Sequence, residues 1–159
     1  MAIEVKAETV VARPVEEVFE EAAGRVESLA KYFTGYAPLI PGIREAAFDH
    51  GAKAAPGALR TVKLTDGTTI KERVLEYEAP RVHGYDMAEM NALQRLICTN
   101  MVSRWTFEPD GKGTRIVWNY AIHPKGAIMR PLAWLVSRFF EKAMQRCLDN
   151  IQAAMPARA

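Results

Sequence analysis

The sequence is poor in cysteine and has no strong excess of either charge. Cys98 and Cys147 are its two thiols, and they form no CxxC pair. Both are therefore expected to be free, as is usual for a reduced, cytoplasmic protein. The formal net charge is +2, with lysine and arginine scattered along the chain. This balance gives no electrostatic footprint for nucleic acid, so no nucleic-acid partner is expected.

Long hydrophobic runs are also missing. The opening stretch MAIEVKAETVVARP alternates polar with apolar residues and lacks the continuous apolar core of a signal peptide. The apolar stretch LAWLV near the C-terminus is far too short to span a bilayer. Stable membrane insertion is therefore not expected.

Catalytic and metal-binding motifs are absent as well. His50, His83 and His123 show no metal-ligand spacing, and the chain has no P-loop, dinucleotide fingerprint, Ser-His-Asp set or paired catalytic carboxylates. No metal and no cofactor is expected. His83 shares its side of a strand with Tyr85 and is a candidate for the rim of any pocket there.

What the sequence does contain is a clear order of elements. Residues 3–7 alternate like a half-buried strand. Two short helices follow, the first starting at Pro14 and the second ending by Gly35. After a Pro- and Gly-rich stretch with one possible strand in GIREAAFDH, residues 58–124 read as strands with turns at Asp66-Gly67, Ala79-Pro80 and Asp110-Gly111. An amphipathic helix from about Pro131 to Ala154 closes the chain. Its predicted apolar stripe consists of Leu132, Leu135, Val136, Phe139, Ala143, Met144, Cys147, Leu148 and Ile151.

This order predicts an α+β fold. We expect a curved antiparallel β-sheet wrapped around the long C-terminal helix, with two short helices after the first strand. That helix covers the concave face of the sheet, because no other segment offers an apolar stripe of similar length. Residues 1–159 are expected to form a single domain.

The hairpin around Asp66-Gly67 places two charges among apolar residues. A three-residue loop from Asp66 to Thr68 collects the apolar side chains on one face and an entirely polar set on the other. Arg60 and Glu72 then fall on the apolar face, diagonal to each other. Buried charges must be paired or hydrated. Two interpretations stay open: a structural ion pair that fills one end of the core, or a polar anchor in a water-containing cavity.

The stretch GALRTVKLTDGTTIKERVLEYEAP, with G-x-x-R followed after the turn by E-R-V, resembles the helix-grip superfamily. That group includes START lipid-transfer domains, the birch-pollen allergen family, plant abscisic-acid receptors and, most similar, the bacterial polyketide cyclase/dehydrase-like proteins. The resemblance implies a deep pocket between sheet and last helix, with the loops at Asp66-Gly67 and 88–94 closing over its mouth. The Ser-Gly-Leu-Pro gate of the hormone receptors is lacking.

The resemblance and the strand faces together give a set of expected ligand-binding residues. They are Arg60, Val62, Glu72, Val74, Tyr85, Met87, Met101, Ser103, Trp105, Trp118, Tyr120, Phe139, Ala143 and Cys147.

The fold alone leaves three functions open. The first is a carrier or sensor that binds a hydrophobic small molecule, aromatic, polyketide-like or lipid-like, as a monomer or weak homodimer. The second is a cyclase/dehydratase-type enzyme acting on a polyketide or carbonyl substrate, with Arg60 steadying an anion and Glu72, Tyr85 or Tyr120 moving protons. The third is a helper protein that docks a partner at the pocket mouth.

Overall fold

The computed structural model describes residues 1–158. Its strands are β1 (Ile3–Val11), β2 (Ile43–Phe48), β3 (Leu59–Leu64), β4 (Thr69–Glu78), β5 (Val82–Glu89), β6 (Cys98–Asp110) and β7 (Gly113–Pro124). Its α-helices are α1 (Val15–Phe19), which continues as a π-helical turn over Glu20–Gly24, α2 (Ser28–Tyr32), α3 (Ala92–Ile97) and α4 (Gly126–Ala154). A 3-10 turn spans Asp49–Gly51.

The strands form one antiparallel sheet in the order β1-β7-β6-β5-β4-β3-β2. Register shifts interrupt the ladder once each in β2, β4 and β5, and at the start of β6. Extra residues of this kind bend a strand and increase its twist, which curves the sheet. Helix α4 packs against β1 and β7, and the main core lies between α4 and the sheet. The predicted α+β helix-grip fold is confirmed.

Helix α4 begins five residues before the predicted start at Pro131. Proline at this position lies in the second turn and withholds the N–H that would bond to the Ala127 carbonyl. Ala127 is exposed, so its carbonyl can bond to solvent instead. A proline near the start of a helix was therefore a good sign of the element but a poor marker of its first residue.

The buried side of α4 also differs from the predicted apolar stripe in its first half. Ala133 and Ser137 face inward there, whereas Leu132 and Leu135 are exposed. Beyond residue 142 the predicted stripe is correct: Ala143, Met144, Cys147, Leu148 and Ile151 are all buried.

The β3–β4 hairpin has a three-residue loop, but it is Thr65–Gly67 rather than Asp66–Thr68. Leu64 N–H donates to the Thr68 carbonyl at 2.9 Å, and Gly67 has φ +88° at the third loop position. Glycine is favoured there because only it adopts positive φ without strain. Consequently Arg60 lies directly opposite Glu72 instead of diagonal to it. The prediction that both face inward is correct.

The segment expected as a loop over residues 88–94 is partly helical. Strand β5 continues to Glu89, and α3 starts at Ala92 after a capping box formed by Asn91 and Gln94. The Asn91 side chain accepts from Gln94 N–H at 2.9 Å, and the Gln94 side chain accepts from Asn91 N–H at 3.0 Å. This reciprocal pair satisfies two backbone donors and fixes where the helix begins.

Candidate functional site

A cavity of about 360 Å³ lies between the concave face of the sheet and helix α4. Helix α3, the α2–β2 loop and the β3–β4 turn surround its mouth. Leu93 and Leu39 line the cavity and are also exposed, which places them at the opening, together with Asp66. The walls are mainly aliphatic and aromatic: Leu29, Phe33, Ile40, Ile43, Leu64, Ile70, Met87, Ile97, Met101, Trp118, Ile122, Val136 and Phe140.

Polar groups gather at one place inside the cavity. Glu72, Tyr85 and Tyr120 all line it and are each at least nine-tenths buried. The Tyr85 and Tyr120 rings meet edge to face, with centroids 6.2 Å apart. Burial, and then the Glu72 charge, raises the pKa of Tyr85 to about 12. Burial also raises the pKa of Tyr120 well above its usual value. Both hydroxyls are therefore protonated at neutral pH and able to donate hydrogen bonds. We call these three residues the polar floor.

Arg60 lies behind the polar floor rather than in the cavity wall. Its Nε donates to Glu72 Oε2 at 2.5 Å, and its guanidinium carbon is 4.4 Å from the centre of the Tyr85 ring. Burial opposes the charged form of Arg60, but Glu72 outweighs it and the Arg60 pKa is raised. The pair thus holds the Glu72 carboxylate in place while only Glu72 faces the cavity.

His83 completes the group behind the polar floor and does not reach the rim. Its Nε2 is 3.2 Å from Arg60 Nη1, and since Arg60 can only donate, this nitrogen must accept. Burial, and then the adjacent positive charge, lowers the pKa of His83 to about 3. The ring is therefore neutral at physiological pH.

The cavity contains part of the expected ligand-binding set. Glu72, Tyr85, Met87, Met101, Trp118, Tyr120 and Cys147 line it.

The rest of that set lies elsewhere. Val62 packs with Leu64 and Ile70 in a smaller core cluster. Trp105 and Ser103 support Trp118 from behind: the indoles stack at 4.2 Å and Trp118 Nε1 donates to Ser103 Oγ at 2.8 Å. Arg60, Val74 and Ala143 are buried outside the lining.

Phe139 is the clearest correction. It contacts Tyr36 near the surface, and Phe140, one residue later, lines the cavity instead. The reason is that the buried side of the first half of α4 differs from the predicted apolar stripe. The expected ligand-binding set also omitted the cavity-lining residues of α2, α3 and the α2–β2 loop. Leu29 and Phe33 were visible as a helical apolar pattern, but nothing in the sequence showed that this pattern faces a cavity.

Comparison with known proteins agrees with this geometry. Residues 2–156 match the family described as polyketide cyclase / dehydrase and lipid transport. The chain belongs to this family. No curated protein matches the chain in sequence.

Solved structures resemble this polyketide cyclase/dehydrase family member in fold. XoxI from Bacillus cereus is 18% identical, with 98% of this chain and 96% of that one covered and a TM-score of 0.73. Major latex-like protein 151 from Panax ginseng is 11% identical, with 97% of each chain covered and a TM-score of 0.71. The di-domain ARO/CYC protein BexL of the BE-7585A biosynthetic pathway is 14% identical, with a TM-score of 0.70. The alignment with BexL covers 99% of this chain and 51% of BexL.

Two further observations concern the described residues. Residues 1–158 contain no cluster of three or more histidine, cysteine or acidic side chains placed to hold a metal ion. None of the helices in this part of the chain combines the length and apolar character needed to cross a bilayer.

Proposed function

We propose that this protein binds a hydrophobic small molecule, of aromatic, polyketide or lipid type, in the sheet–helix cavity and acts as a carrier or sensor. The cavity carries the proposal. Its volume of about 360 Å³ lies within the range of small-molecule sites, roughly 300–1,000 Å³. Apolar walls with polar groups confined to one floor suit a ligand that has an apolar body and one polar end.

The polar floor indicates the chemistry of that end. Tyr85 and Tyr120 offer hydroxyl donors, and Glu72 offers a carboxylate acceptor. An anionic end would meet the Glu72 charge, while the compensating Arg60 lies outside the lining. A ligand with a ketone or hydroxyl at its buried end therefore fits better than a carboxylic acid.

A titration with the neutral fluorescent probe N-phenyl-1-naphthylamine tests the proposal. Val136 faces the cavity, and Leu135, its neighbour on α4, is exposed. Val136→Trp should fill the cavity and weaken binding at least tenfold, which is about 1.4 kcal/mol. Leu135→Trp is the matched control and should bind like the wild type. Native mass spectrometry of freshly purified protein then identifies any natural ligand. Absence of saturable probe binding, together with no retained small molecule, would contradict the proposal.

A cyclase or dehydratase activity is the second candidate, favoured by the convergence of Glu72, Tyr85 and Tyr120 on one floor. In such a reaction the carboxylate would take a proton from a carbon between two carbonyls, and the phenols would donate hydrogen bonds to the resulting enolate oxygen. If so, Tyr120→Phe should lower kcat on a linear polyketone with little change in probe affinity. If the wild-type protein binds the probe but does not turn over the polyketone, the enzyme proposal is contradicted and the carrier proposal is retained.

We further propose a cytoplasmic location and a monomeric or weakly dimeric state, and expect no nucleic-acid partner. The support for the location is that both cysteines are buried and unpaired, as suits a reducing compartment. Sedimentation velocity over a hundredfold concentration range tests the oligomeric state.

A further inference from the structure

Exposed aliphatic side chains gather on the two helices that border the cavity mouth. On α4, Ile128 is 87% exposed, and on α3, Leu93 is 55% exposed while also lining the cavity. The two helices adjoin, because Lys125 N–H donates to the Ile97 carbonyl at 2.9 Å. We define the apolar patch as Leu93 and Leu96 of α3 with Ile128, Leu132 and Leu135 of α4.

Helical spacing makes the patch continuous along each helix. Ile128, Leu132 and Leu135 recur at i, i+4 and i+7 and so share one side of α4. Ala133, between Leu132 and Leu135, and Ser137, two residues after Leu135, face the fold and are buried. Apart from Arg130 and Arg138, the first half of α4 is therefore apolar toward solvent as well as toward the cavity, unlike its second half, where Lys142, Arg146 and Asp149 are exposed.

The chain segments that carry the patch hold positive charges only, while Asp66 of the β3–β4 turn is an acidic side chain at the cavity mouth. Residues 90–107 and 111–140 contain no aspartate or glutamate. Arg95, Lys125 and Arg130 are exposed there and bond only to backbone carbonyls, namely those of Met90, Arg95 and Met1. None of these three cations has an ion-pair partner within residues 1–158, whereas exposed cations of the sheet such as Lys63 and Arg104 do.

We infer that the apolar patch docks the protein reversibly on an anionic phospholipid bilayer. Aliphatic side chains that enter the interface, flanked by unpaired cations, are the combination that binds such surfaces. Trp134, 53% exposed on the same part of α4, has the amphipathic ring that favours the bilayer interface. Docking would bring the cavity mouth, through Leu93, against the lipid. This inference goes beyond ligand binding and does not depend on it.

Co-sedimentation with vesicles provides the test. We expect the wild-type protein to bind vesicles of phosphatidylcholine and phosphatidylglycerol at 7:3, and to bind pure phosphatidylcholine at least tenfold more weakly in 0.1 M salt. Each cation near the surface is worth roughly fivefold in binding. Lys125→Glu with Arg130→Glu should therefore lower binding by well over tenfold, and 0.5 M salt should weaken the wild type similarly. Trp134 emission should shift to the blue on binding.

A matched pair of variants identifies the surface. Leu96→Glu with Ile128→Glu alters the apolar patch without touching the cavity lining, and should lower vesicle binding at least tenfold. Leu75→Glu with Val10→Glu changes two exposed residues of the sheet and should leave vesicle binding unchanged.

Two results would overturn the inference: equal binding of the wild type to both vesicle types, or an equal loss of vesicle binding in both pairs of variants. So would a concentration-dependent dimer that the first pair abolishes, since the patch would then join two copies. Unchanged probe affinity in the first pair separates docking from ligand binding.

Discussion

Arg60 and Glu72 are a buried ion pair whose two members have different surroundings. Both are at least 95% buried, and the guanidinium also contacts His83 and Tyr85. Only the Glu72 carboxylate reaches the cavity. The two interpretations of the sequence thus each apply to one residue: Arg60 fills the core behind the site, and Glu72 supplies a polar group at its floor.

Removing Arg60 alone should therefore destabilise the fold. Arg60→Met leaves the Glu72 carboxylate buried without its cation, which typically costs about 3–5 kcal/mol. Adding Glu72→Leu should restore most of that loss. Urea unfolding measures both changes. Arg104→Met, which removes an exposed pair with Glu76, is the control and should cost less than about 1 kcal/mol. A double variant no more stable than Arg60→Met would show that the pair is not the cause.

His83 should make stability depend on pH in the mildly acidic range. Its pKa is about 3 when folded and about 6.5 when unfolded, so between these values the unfolded state binds the additional proton. The contribution of His83 is complete above pH 6.5 and falls as the pH decreases. From pH 7 to pH 5 the free energy of unfolding should drop by about 2 kcal/mol more in wild type than in His83→Gln. Parallel pH profiles of the two proteins would contradict this assignment.

At the scale of elements, helix α3 is short and depends on its cap. Isolated helices of six residues are not stable in water, so α3 persists through the capping box and its contacts with α4 and β6. Asn91→Ala removes the cap and should cost about 1 kcal/mol locally. Hydrogen exchange of α3 amides should then be about fivefold faster. Helix α1 in the same sample serves as an internal reference, and equal acceleration there would indicate global rather than local destabilisation.

The β3–β4 hairpin and α4 show how far sequence patterns reach. Side-chain alternation and an odd loop length together predicted which face Arg60 and Glu72 occupy, because that depends on the parity along each strand and across the turn. The predicted loop began one residue too late, because the loop position depends on which loop residue adopts positive φ. That residue is Gly67, at the third loop position. In α4, leucine and phenylalanine were assigned inward. The buried positions there are instead Ala133 and Ser137, and hydrophobicity alone does not identify small residues as the buried ones.

The cavity itself was predictable only through the resemblance. Glu72, Tyr85 and Trp118 lie on strand faces that alternation identifies as inward. Yet alternation does not distinguish a residue that lines an opening from one packed behind it, as Trp105 is behind Trp118. That distinction depends on how α2, α3 and α4 are placed over the sheet, which is a property of the assembled layers.

At the scale of the whole molecule, the rate at which a buried cysteine is chemically labelled measures how often the fold opens. Cys147 is 2% exposed and Cys98 is 1% exposed, and burial raises the pKa of Cys98 to about 11. Burial also raises the pKa of Cys147. Cys147 lines the cavity, so the reagent must be too bulky to enter it. In Cys98→Ala, labelling of Cys147 at pH 8 by a maleimide carried on a polyethylene glycol chain should be slower than in the urea-unfolded chain by at least about a thousandfold, because it requires unfolding. Rapid native labelling would reveal a local opening between α4 and the sheet.

The pairing of β1 with β7 has a consequence for synthesis on the ribosome. Ile3 pairs with Ile122, so the first strand has no partner until more than a hundred further residues have been made. At bacterial and eukaryotic elongation rates this interval is on the order of ten seconds. During it the nascent β1 presents Ile3, Val5 and Ala7 to other chains. Glu4, Lys6 and Glu8, which alternate with them, act as gatekeepers against premature strand pairing. Replacing those three charges with threonine should therefore lower the yield of folded protein during translation while barely changing the stability of the finished fold.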